Sequence, residues 1–241
     1  DWGNEFVLHL LPLTKITYNS KLPAPAGVSV TSKINLFINP ELFFKYTPRQ
    51  QRDIVTHEFG HVIMQHTIRG GKDKFTNLSP MQKNIAADLA INQILGIDDT
   101  IEEIGGVNIS RFSEALNQAG YSGECLPFQS FEYYAQILSK VQQDFSDKFS
   151  QIDDHDQWEQ SESSAMQSEV IKEALKDAYK KTSPSRRKSD HLNELIKELI
   201  GNSKVNWVNK FRNIVASSLS PNNEHTRKKR NRRTGILNPG K

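Results

Sequence analysis

The sequence predicts an α+β fold, mainly helical, in which a small β-sheet precedes a run of helices. Three observations carry this: β-favouring residues flank a short turn within 28–39, proline-led capping boxes open at Thr47 and Ser79, and helical periodicity fills most of the remainder. At 241 residues the chain can bury a real core. A hydrophobic content of 36%, a charged content of 24% and three tryptophans exclude the disordered and disulfide-stapled classes.

From the N-terminus, Phe6 to Leu13 is the first long apolar run, interrupted by His9 and Pro12. It is too short to span a bilayer and has no basic flank ahead of it, so neither a signal nor a membrane anchor is expected. Val28-Ser29-Val30-Thr31 and Ile34-Asn35-Leu36-Phe37-Ile38-Asn39 read as a hairpin around Ser32-Lys33 that ends at Pro40. Thr47-Pro48-Arg49-Gln50 then supplies an N-cap, a first-turn proline and a capping-box glutamine for a helix running to Arg69, stopped by Gly70-Gly71. Ser79-Pro80-Met81-Gln82 repeats that start, and Ile85, Leu89 and Leu95 continue a second helix to Gly96.

Shorter helices are predicted from Ser110 to Ala119, closed by Gly120, and from Ser130 to about Phe145, with Phe131, Tyr134, Ile137, Leu138 and Val141 on one face. Helical periodicity resumes over Ala165–Lys181 and from His191 to about Leu219, separated by a breaker run. The predicted organisation is a core over 1–145, a polar linker over 146–164, a helical part over 165–220 that packs on the core, and a basic tail over 221–241.

The lone Cys125 cannot form an internal disulfide or a cysteine metal site, which makes a reducing, cytoplasmic setting the default. The net charge of +3 is unevenly spread: the last 21 residues carry +6, leaving −3 on the first 220. The cluster Arg227–Arg233 could meet nucleic-acid phosphates, or could be a solvated strip, since no recognisable reading module accompanies it.

The chemistry concentrates at Thr56-His57-Glu58-Phe59-Gly60-His61. Histidines four apart share one helix face, so His57 and His61 can direct ring nitrogens at one ion. Glu58, one step round, suits a residue that takes a proton from water polarised by the metal. The four-letter motif is weak by itself and also fits two histidines of an ordinary helix; its capped helix and the strand before it supply the context.

A catalytic zinc usually takes three protein ligands. On an unbroken helix His66 is turned about 140° from His61 and cannot join. Asp88 is the stronger candidate, being the one charged residue in Ile85-Ala86-Ala87-Asp88-Leu89-Ala90-Ile91, where burial without a cation is costly. Asn84 and Asn92 lie one turn to either side and could orient it. Glu102, Glu103, Glu114 and Glu124 are the lesser alternatives, and a local capping role for Asp88 is the other reading.

These residues resemble the metallopeptidase domain that often precedes a von Willebrand factor A-type domain in bacterial and phage proteins. The resemblance runs through the strand leading to Asn39-Pro40, the His57–His61 helix with His66 and Arg69, Asn84 to Asn92, and Ser130-Phe131-Glu132-Tyr133-Tyr134. It continues through Asp154-His155-Asp156-Gln157-Trp158, Asn206-Trp207, Phe211-Arg212 and the basic end before Pro239-Gly240.

The resemblance implies a zincin-like peptidase with His57, His61 and Asp88 at Zn2+, Glu58 as base and a polypeptide substrate. It also implies two partners, a von Willebrand A-type domain and a MoxR-type AAA+ ATPase, and the host cytoplasm if the source is a phage. The chain stops about where the von Willebrand domain would start. In zincins the edge strand before the motif helix pairs with extended substrate, which nominates Ile34, Leu36 and Ile38.

A donor to the developing oxyanion is also needed. His155, beside two aspartates, is the first choice, and it could instead replace Asp88 at zinc or be a solvated linker histidine. Tyr121, Tyr133 and Tyr134 are weaker choices. Trp158, Trp207 and Phe211 read as core or interdomain anchors, while His9, His191 and His225 show no metal spacing. The competing functions are a catalytically silent zinc-binding adaptor and a nucleic-acid-associated protein acting through Arg227–Arg233.

Overall fold

The computed structural model describes residues 2–69, 75–141, 145, 148, 149, 164–182 and 196–201. Helix α1 (Trp2–Leu10) and a 3-10 turn (Leu11–Leu13) lead into strand β1 (Thr14–Tyr18), followed by β2 (Ala26–Val30) and β3 (Ile34–Ile38). The expected hairpin is present: β2 and β3 pair antiparallel with Val28 opposite Leu36, and the Thr31 N–H donates to the Lys33 carbonyl at 2.9 Å. Strand β1 has no counterpart in the sequence reading. It pairs parallel with β3, a pairing that needs a crossover and leaves no short turn signal.

The strand order β1-β3-β2 puts β3 in the centre. This corrects the expectation that Ile34, Leu36 and Ile38 hold an extended substrate. Both sides of β3 are already paired, and those three side chains are 1%, 1% and 6% exposed. Alternation along the strand turns them into the core, where Ile34 clusters with Phe59 and Val62, and Leu36 and Ile38 with Ile54. The exposed edge is β1, with Ile16 and Tyr18 open to solvent.

Asn39 caps the short α2 (Pro40–Phe43). Helix α3 (Pro48–Ile63) opens with the capping box of Thr47 and Gln50, both reciprocal bonds being present. It ends six residues before Arg69, the predicted end. Met64 and Gln65 form a turn, with Gln65 at φ 54°, and α4 (His66–Arg69) follows it. No glycine or proline announces this break; it is held from outside, since Arg69 Nη1 donates to the Met64 carbonyl at 3.0 Å.

Helix α5 (Pro80–Leu95) has the Ser79/Gln82 capping box and stops at Gly96, which sits at φ 64°. It is buried all along Asn84–Gln93, where Ala86, Ala87 and Ala90 let its neighbours approach closely. Helices α6 (Asp98–Glu103), α7 (Ile109–Gln118) and α8 (Phe131–Leu138) follow. Helix α8 is shorter than predicted, closing in a turn with Val141 N–H on the Leu138 carbonyl, but its predicted apolar face is buried as a block against α5.

Helix α9 (Ser164–Lys181) inserts Ile171, Leu175 and Ala178 beside Phe6 and Leu10. Its Gln167 Nε2 donates to the Val30 carbonyl at 3.0 Å, on the β2 side of the sheet. His155, most of 146–164, the predicted helix after His191 apart from 196–201, and the Arg227–Arg233 tract lie outside the described residues. Among the described residues, no helix is long and apolar enough to cross a membrane.

Candidate metal centre

Helices α3 and α5 cross with almost no space between them at Gly60, where a Cβ would stand 2.9 Å from Leu95 Cδ1. That approach brings Asp88 across from the two motif histidines. His57 Nε2 and His61 Nε2 are 3.0 Å apart, and Asp88 Oδ1 lies 3.6 Å from the first and 3.4 Å from the second. With metal–ligand bonds of about 2.0–2.1 Å, the edges of a tetrahedral site are about 3.3 Å, so the three atoms already form one face of such a site. Among the described residues this is the group of histidine and carboxylate side chains with metal-ligand spacing, and all three are buried.

The ring orientations are fixed from behind. Asn92 Nδ2 donates to the Val107 carbonyl at 3.2 Å, which turns its Oδ1 towards His57 Nδ1 at 2.7 Å. His57 therefore carries its proton on Nδ1 and offers the Nε2 lone pair to the site. The predicted polar stripe on α5 is real, with one role reassigned. Asn92 orients His57 and not Asp88, while Asn84 is buried one turn ahead of the aspartate.

His66, set aside on the assumption of a continuous helix, is buried with its Nδ1 3.1 Å from His61 Nδ1. The break at Gln65 puts it there. Arg69, 5% exposed, pairs with Glu132 of α8 through Nε at 3.0 Å and Nη2 at 2.7 and 2.6 Å. Burial lowers the Arg69 pKa despite that pairing. Burial also pushes the Glu132 carboxyl upward, but the Arg69 charge and hydrogen bonds outweigh it and hold the pKa below its ordinary value.

The remaining sequence candidates separate cleanly. Glu58 is 0% exposed beside His57, whereas Glu102, Glu103, Glu114 and Glu124 are exposed and outside the triad. Tyr133 and Tyr134 use their hydroxyls on the loop before α8: Tyr133 bonds the Glu124 carbonyl and the Leu126 N–H, and Tyr134 bonds Gln93, the Leu126 carbonyl and the Gln129 N–H. Tyr121 is half-buried against the α5–α8 core.

Fold and site together define an α+β protein, mainly helical, with a buried His-His-Asp group able to hold a metal ion. The chain belongs to the family described as "Putative metallopeptidase domain", which matches residues 25–237. No curated protein and no solved structure matches the chain.

Proposed function

We propose that the protein is a zinc-dependent peptidase. The observation that supports this most directly is the triangle of His57 Nε2, His61 Nε2 and Asp88 Oδ1, whose sides of 3.0, 3.4 and 3.6 Å suit a tetrahedral ion. A borderline ion such as zinc fits a donor set of two imidazoles and a carboxylate. Bound there, it supplies Lewis acidity, which eases deprotonation of water near neutral pH and polarises a peptide carbonyl.

The protein's own groups do the rest. Glu58 accepts the proton of the attacking water and returns it to the departing amine nitrogen. Asn92 holds the His57 ring, and Asp88 balances part of the cation's charge. His57, Glu58 and His61 have no exposed surface, and Asp88 is 5% exposed.

That same burial favours one second reading, a silent module that keeps its ion for structure. Glu58 separates the two, because a structural ion has no use for a base beside its ligand. Zinc content and cleavage of an unfolded polypeptide library are measured together. Glu58→Gln should keep zinc and lose cleavage, and His57→Ala should lose both. Cleavage by Glu58→Gln at the wild-type rate rejects the peptidase mechanism, and zinc bound by the wild type with no cleavage leaves the silent module.

A further inference from the structure

Resting on the reading that His57, His61 and Asp88 hold an ion, we propose that His66 is the positioning residue of the metal centre. It accepts the Nδ1–H of His61, so that His61 presents its Nε2 lone pair to the ion. His61 Nε2 faces both His57 Nε2 and Asp88 Oδ1, and its other nitrogen faces His66 Nδ1 at 3.1 Å. An imidazole that binds through Nε2 keeps its proton on Nδ1, and a buried N–H of that kind needs an acceptor. His66 meets the need when its own proton is on Nε2.

Two further observations show that this placement is built and not incidental. Gln65 takes a left-handed backbone, φ 54°, which a side chain rarely adopts, and the helix would otherwise carry residue 66 away from the site. The Arg69–Glu132 pair then clamps α4 to α8 and bonds the freed Met64 carbonyl, while the His66 ring lies against Phe131, 5.5 Å between centroids.

The test uses the full chain and zinc, with affinity read by competition against a chromophoric chelator and folding read by circular dichroism. His66→Asn keeps an acceptor at the Nδ1 position and should bind close to wild type. His66→Phe keeps the ring without an acceptor and should lose about 10–100-fold. Wild-type affinity in His66→Phe overturns the proposal, as does an equal loss in both folded variants, which would assign His66 to packing.

Should His66→Phe fail to fold, nitrogen-15 spectra of the wild-type histidines decide. His66 protonated on Nε2 in the zinc form supports the proposal, and Nδ1 protonation in the zinc form overturns it. Wild-type affinity in His57→Ala would instead remove the metal site itself.

Discussion

Asn92 Oδ1 stands 2.7 Å from His57 Nδ1, so a side chain of α5 sets the ring of a motif histidine on α3. Both groups are fully buried, and the asparagine's other end is committed to the Val107 carbonyl. Asn92→Leu keeps the volume but removes the acceptor that faces His57 Nδ1 and the donor to that carbonyl. It should cost about 1–3 kcal/mol of folding stability and about 10–100-fold in zinc affinity. Asn92→Asp preserves the acceptor and should retain zinc. Chelator competition alongside urea unfolding checks both, and unchanged affinity in Asn92→Leu contradicts the orienting role.

Gly60 tests whether close helix contact builds the site. A Cβ there would meet Leu95 Cδ1 at 2.9 Å and Ile91 Cδ1 at 3.3 Å, both ends of flexible side chains. Alanine gains about 1 kcal/mol of helix propensity over glycine, which offsets much of an overpacking cost of about 1–3 kcal/mol. Gly60→Ala should therefore remain folded and near wild type. Gly60→Val adds two further carbons and loses part of that propensity, so it should unfold earlier and bind zinc more weakly. Thermal melts with and without zinc distinguish the two.

Much of this arrangement is legible in the letters because the relevant signals are local. Thr47 and Ser79 cap where capping boxes predict, Gly96 ends α5, and Asp88 stands out as a charge in an apolar run that needs a partner. What escapes is decided by distant contacts. The α3 break depends on an arginine five residues on, itself held by Glu132 from another helix, and no turn residue marks it. The parallel pairing of β1 made β3 central in the same silent way, which moved Ile34, Leu36 and Ile38 from a surface role into the core.

Asp98 opens α6 with its Oδ1 buried and without a hydrogen-bond partner among the described residues. Desolvation, then the charges of Asp99 and Glu102, raise its pKa to about 6. A folded-state pKa raised above the unfolded one means that the fold favours the protonated acid. The Asp98 contribution to stability should therefore rise as pH falls from above 6 towards 4. Asp98→Asn should be the more stable protein at pH 7, with its advantage shrinking to nothing near pH 4; urea midpoints across that range measure it. A constant difference would show that this carboxyl does not titrate as described.

The Arg69–Glu132 pair should show the opposite pH signature. Arg69 is almost wholly buried and its guanidinium depends on Glu132 for balance, so Glu132→Gln leaves a buried charge unpaired at a cost of about 3–5 kcal/mol. Glu132 has a depressed pKa in the fold, so its contribution is complete above its unfolded value of about 4.3 and disappears as pH falls through the lower folded value. Wild type should therefore outlast Glu132→Gln in urea at pH 7, and the gap should narrow below pH ~4. Because the clamp also fixes the chain that carries His66, the same variant should bind zinc more weakly at neutral pH even where it remains folded. A Glu132→Gln protein that loses stability but keeps full zinc affinity would uncouple the clamp from the metal centre.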